Sequence, residues 1–168
     1  MSFSVYDATI PSMIRFFENL SKILDKAVAQ AETRKMPLSE LIEARLAPDM
    51  HPFARQIQIA SDVAKLAAAR FAGLEAPSFP DTETTFPDLQ ARIAKTIDYL
   101  KSVPRDKIEG AEDRTITLKF PQGEMNFPGR DFVTNFALSN FFFHVTTAYD
   151  ILRHKGIEIG KRDFLGEP

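Results

Sequence analysis

Residues 131–154, DFVTNFALSNFFFHVTTAYDILRH, decide how this chain is read. At about 100° per residue they put Val133, Ala137, Phe141, His144, Ala148 and Ile151 on one face of a helix. Asn140 lies one turn before His144 on the same face. A helix in water turns such a stripe towards the core, so an imidazole and an amide are predicted where apolar side chains cost less. Left unpaired there, each costs about 1–3 kcal/mol, and a protein group, water, ligand or metal is expected to satisfy them. His144 is then either a metal ligand or proton carrier facing the interior, or a core histidine held by Asn140, a tyrosine or a backbone carbonyl.

Three further amphipathic segments precede it. Met13, Phe17, Leu20, Leu24, Ala27, Val28 and Ala31 recur at helical spacing and predict a helix over residues 12–32, with Pro11 in its first turn. Residues 36–49 read as a connector with a short helix. Asp49 is a good N-cap for a second long helix, with His51 and Pro52 in its first turn, Phe53, Ile57, Ala60, Ala64, Ala67 and Phe71 on its buried face, and Gly73 after its end. Thr85 with Asp88 resembles a capping box for a third, whose seam is Leu89, Ile93, Ile97 and Leu100 and which Pro104 closes. Between the third and fourth helices the period changes to two. Ile116, Leu118 and Phe120, then Met125 and Phe127 after the Pro121-Gln122-Gly123 turn, predict a β-hairpin with its apolar face on the helices. The last helix follows Gly129 and stops at Gly156, and the apolar tail residues Ile157, Ile159, Phe164 and Leu165 predict that residues 157–168 dock on the bundle. The expected fold is all-α: a single-domain four-helix bundle over residues 1–168 with a small hairpin inserted before the last helix.

Composition narrows the classes of function. The 168 residues include no cysteine, which excludes disulfides, thiolate metal sites and a cysteine nucleophile. A net charge of −2 with interspersed signs, and no basic run or arm, argues against nucleic-acid binding. The N-terminus lacks the charge-then-apolar order of a signal peptide, and no apolar stretch approaches the ~20 residues that span a bilayer. A cytoplasmic protein with no membrane partner is expected. Glycine-rich phosphate loops, nucleophile elbows, H-E-x-x-H and EF-hand patterns are all missing.

The remaining chemistry sits in few residues. His51 groups on its helical wheel with Arg55, Gln58 and Asp62, a solvated side unless Pro52 bends the helix start inwards. Gln56, nearer the buried face, and Tyr149 are predicted pocket lining, or polar residues at the edge of the core. Asp62 and Lys65 read as a solvated helix face, and His154 as a cation complementing the dipole at a helix end. Phe141, Phe142 and Phe143 cover three sides of one helix, so one ring is expected to point outwards, to the hairpin, a neighbouring helix or a second chain.

The stretches ARLAPDMHPFARQIQIASD, DTETTFPDLQARIAKTIDYL and NFFFHVTTAYDILRHKGIEIGKRDFLG, spread over residues 44–166, resemble the DinB/YfiT-like superfamily, and within it a subfamily known only as a domain of unknown function. The resemblance implies a helical bundle, a homodimer, and a divalent metal (zinc or nickel) held by one histidine from the second helix and an H-x-x-x-H pair on the fourth. It also implies metal-dependent thiol transfer or isomerisation. His51 would match the helix-two ligand and His144 one of the pair. Asn140, or in the other alignment Ala148, then replaces the remaining histidine. Two imidazoles and an amide are a poor set for zinc or nickel. The expectation is therefore a vestigial or remodelled metal or ligand pocket near His144 and Asn140, of unknown activity. Its alternatives are a metal-dependent thiol transferase or isomerase with His51 and His144 on the ion, and a non-catalytic protein binding a small ligand.

Overall fold

A computed structural model describes residues 4–167; the outermost residues of the expected domain, 1–3 and 168, lie outside it. Helix α1 runs Val5–Thr33, a short α2 Leu38–Ile42, α3 Phe53–Ala72, α4 Phe86–Ser102, and a single turn α5 Arg105–Ile108. Strands β1 (Thr115–Phe120) and β2 (Gly123–Pro128) form the hairpin. The last rod begins as α6 (Gly129–Asp131), continues as a π-helical segment Phe132–Leu138, and becomes α7 (Ser139–His154); α8 (Lys161–Leu165) ends the tail. The four long helices close a ring in which α3 packs between α4 and α7, and α1 packs on both of those from the other side. Phe17, Leu20, Leu24, Ile57, Ala64, Leu89, Phe141 and Ile151 fill its centre. Among the described residues no helix is long and apolar enough to cross a membrane.

Most predicted boundaries follow from local chemistry. Thr85 Oγ1 accepts from Asp88 N at 3.3 Å, while Asp88 Oδ2 accepts from Thr85 N at 3.0 Å, closing the capping box of α4. Gly73 takes the left-handed conformation at φ 66° that ends α3. The tail docks as expected: Ile157 and Ile159 are buried, and Phe164 packs its ring on Phe16.

Two starts differ. Helix α1 begins seven residues earlier than Pro11 and the periodicity suggested, because Ser4 and Asp7 form a reciprocal cap. Pro11 is consequently interior to the helix, on its exposed side, where its ring meets no packed neighbour helix. Helix α3 begins at Phe53 with Pro52 as N-cap, so His51 precedes the helix instead of riding on its first turn.

The hairpin pairs Ile116 with Phe127 and Leu118 with Met125. Its base packs on the helices through Ile116 and Leu118. Its outer half does not: Phe120 is 44% exposed and Met125 50%. The chain leaves β2 through a tight crossing at Gly129, whose N–H donates to Arg114 O at 2.8 Å. A Cβ on Gly129 would overlap the carbonyl oxygen of Ala111.

Candidate functional site

The fourth rod is π-helical over residues 132–138 and α-helical from Ser139 on. Its buried stripe passes through Val133, Ala137, Phe141 and Val145, each four residues on from the last, the wider turn accommodating the first steps and the packing of α7 choosing Val145. Val145, not His144, therefore occupies the centre. His144 is turned to the rim, half-buried, at the end of α3 where that helix begins.

There its Nδ1 lies 2.7 Å from Oε1 of Gln56, and Nε2 of Gln56 donates to the carbonyl of His51 at 3.0 Å. A carbonyl only accepts, which fixes the Gln56 amide; its Oε1 also only accepts, which puts the proton of His144 on Nδ1. The imidazole is thus held in one tautomer with Nε2 as the lone-pair nitrogen. Burial pushes its pKa down to about 4, and the charges of His51 and Arg55 push the same way. At neutral pH His144 is an uncharged acceptor. The partner is Gln56, which is itself buried, and not Asn140 or a tyrosine.

Beside this pair a cleft of about 260 Å³ runs between the outer face of α3, the hairpin and the π-helical segment. Its walls are apolar: Ile59, Val63 and Leu66 from α3, Leu118 and Phe120 from the hairpin, Phe132 and Phe136 from the rod. Arg55, Asp62, Arg70 and Asn140 are its polar groups. Phe71 meets Phe132 at one end (ring centroids 5.5 Å apart), while Gln56 meets His144 at the other, so the two helices run antiparallel along the cleft. Tyr149 is elsewhere, with its ring against Phe164 at 5.7 Å. Of the three adjacent phenylalanines, Phe141 packs on Phe17 and Phe142 on Phe16. Phe143 is the outward one, 56% exposed and edge-on to His144.

The side of α3 read as solvated is covered. The loop between α3 and α4 folds over it and brings Asp81 and Glu83 to Arg92 of α4, whose side chain is 1% exposed. Arg92 also pairs with Asp62 at 3.1 Å, and Asp62 with Lys65 at 2.9 Å. Phe79 lies over Lys65 at 4.3 Å and Gln58 donates to Glu83 at 3.0 Å, so Lys65 and Gln58 are buried. Arg55 is held by Asp81. A helical wheel shows only one element, and the carboxylates that draw these cations inwards come from another.

The three-histidine metal centre implied by the resemblance does not fit these residues. Among the described residues no three His, Cys, Asp or Glu side chains come together as a metal would need. His51 is exposed and contributes its carbonyl to the cluster. The sequence pointed to Gln56 and His144; it did not point to Arg70 or the hairpin wall. The available signal was a second apolar stripe on α3, Ile59, Val63 and Leu66, off the alanine-rich face and flanked at both ends by Arg55 and Arg70.

Fold and site together define a helical bundle of the DinB kind with a cleft between its second long helix, the hairpin and the last rod. A family model described as a domain of unknown function, DUF1993, matches residues 5–165, and the chain belongs to that family. The crystal structure of a DinB family member protein from Shewanella denitrificans is similar to it, with 41% identity over 97% of this chain and 92% of that chain and a TM-score of 0.89. Comparison with curated proteins finds no match.

Proposed function

We propose that this chain is a small-ligand-binding DinB-like protein whose metal pocket has been remodelled, with no reaction assigned to it. The observation that carries this reading is the His144–Gln56–His51 chain of hydrogen bonds. A glutamine amide fills the space between the two histidines, and what His51 presents there is a backbone oxygen. Neutral His144 and the cleft beside it suit a ligand that combines an apolar body with a group able to donate a hydrogen bond.

One feature favours the second reading, a metal-dependent thiol transferase or isomerase. An imidazole whose Nδ1–H is tied to a fixed acceptor, leaving Nε2 free, is how metal-bound histidines are commonly oriented. Metal content separates the two. Protein purified without an affinity tag, and its His144→Ala variant, would be measured by elemental analysis after dialysis against zinc and nickel. Equal and substoichiometric metal in both supports the remodelled pocket. About one metal per chain in the parent, lost in the variant, would overturn it in favour of the metalloenzyme.

A further inference from the structure

The cleft carries one charge that the protein itself does not answer. Asp62 is neutralised by Arg92 and Lys65, and Arg55 is held by Asp81. Arg70, in the last turn of α3, lines the same cleft beside Leu66, Phe132 and Phe136. Its side chain is half-buried, and among the described residues the guanidinium has neither a carboxylate nor another hydrogen-bond acceptor. Burial is the sole influence on its pKa and lowers it from the usual value. A guanidinium cannot lose its proton under ordinary conditions, so its charge stands in an apolar groove at a desolvation cost with no internal partner to offset it. Its nitrogens keep contact with water, so the guanidinium stands ready at the cleft for an anion whose apolar part enters beside it.

The shape of the groove adds a second constraint. Arg55 and Arg70 are 15 residues apart on one helix, roughly 22 Å of rise at 1.5 Å per residue, and the groove between them is narrow: its 260 Å³ equals the volume of about nine liquid waters at ≈ 30 Å³ each. Its walls between the two arginines are aliphatic and aromatic, with Asp62 the one charged side chain, already engaged. A long, thin, apolar occupant with a single anionic end fits that outline; a bulky or multiply charged one does not.

We infer that the cleft binds a monocarboxylate with a medium-length apolar tail, its carboxylate on Arg70 and its tail along Leu66, Phe120, Phe132 and Phe136 towards Asn140. This deepens the proposed function and rests on its reading of the cleft as a binding pocket. Arg70 supplies a charge-assisted, two-pronged contact to the carboxylate, and the tail gains by leaving water. Phe120, exposed on the hairpin in the free protein, becomes one wall of the bound tail.

The test uses octanoate and octanamide, equal in shape and different in charge, titrated into the full-length protein and followed through the amide resonances of the cleft residues. Octanoate is expected to bind at least about tenfold more tightly than octanamide, the scale of a charge-assisted hydrogen bond. Arg70→Gln should remove that preference and Arg70→Lys should keep part of it. Arg70 gives up no internal partner on substitution, so both variants should fold, which their urea midpoints would check. Equal affinity for the two compounds at the cleft in the parent protein would overturn the carboxylate assignment while leaving the binding pocket standing. A preference that persists in Arg70→Gln would overturn the role of Arg70. If neither compound shifts the cleft resonances, both this inference and the reading of the cleft beneath it are overturned.

Discussion

Moving the protein from pH 7 to pH 5 should destabilise it through one side chain. His144 has a pKa near 4 in the folded protein against 6.5 for an exposed histidine, because burial and the neighbouring charges of His51 and Arg55 oppose the imidazolium. Between those two values the unfolded chain binds a proton that the folded one refuses, so stability rises with pH across the window. It is fully present above about pH 6.5, falls as the pH drops below that, and the loss is complete by about pH 4. Taken at face value the shift amounts to about 2 kcal/mol between pH 7 and pH 5; the ring is half-exposed, and screening by water reduces that to about 1 kcal/mol. The window avoids the carboxylates, since Asp7, Asp88 and Asp163 all have pKa values pulled below 3.8 by their hydrogen bonds. His51 and His154 remain in every variant and cancel in a difference. The assay is urea unfolding of the parent and of His144→Gln at both pH values, together with an NMR titration of the imidazole carbons. The parent should lose about 1 kcal/mol more than the variant on going to pH 5. A midpoint for His144 near 6.5, or the same loss in both proteins, would refute the desolvated, singly protonated imidazole on which the site is built.

Two further substitutions probe what holds the site in place. Gly129→Ala forces a methyl group onto the backbone carbonyl of Ala111, which cannot swing away as a side chain would, so the start of the last rod must shift and the cost should exceed about 3 kcal/mol by chemical denaturation; a loss under about 1 kcal/mol would mean that the crossing is looser than described. Arg92→Met leaves Asp62, Asp81 and Glu83 without their common cation. Their partial exposure limits the penalty to about 2–4 kcal/mol. Amide hydrogen exchange in residues 77–84 should accelerate, and unchanged exchange there would show that the loop does not depend on the ion network.

Local chemistry was legible in the sequence, and what depended on distant partners was not. The Thr85–Asp88 box, the αL turn at Gly73 and the hairpin each depend on residues a few positions apart, so periodicity and turn residues suffice to find them. The burial of Lys65 and Gln58 depends on carboxylates from a loop and an arginine from α4, and no wheel drawn on α3 contains them. The start of α1 was hidden differently: Pro11 is a valid first-turn residue, and it masked a complete cap at Ser4 and Asp7.

The last rod is the most consequential case, because the face it buries decides where His144 stands. At a helical period of 3.6, His144 lies about 60° to one side of Phe141 and Val145 about 40° to the other; the α-helical residues 139–154 bury Val145, and with the wider turn at 132–138 the stripe runs Val133, Ala137, Phe141 and Val145. Those residues were visible all along, but a run of fours is compatible with either helix until the packing chooses. The choice matters for function. At the centre of the stripe an imidazole would be sealed among phenylalanines and aliphatic groups, with no route to solvent or ligand. On the rim it can reach Gln56, keep its second nitrogen free and stand one turn from Asn140, which lines the cleft. The face that α7 buries is therefore what puts a polar residue at the edge of a pocket, directly after a π-helical turn of the kind frequent at functional sites.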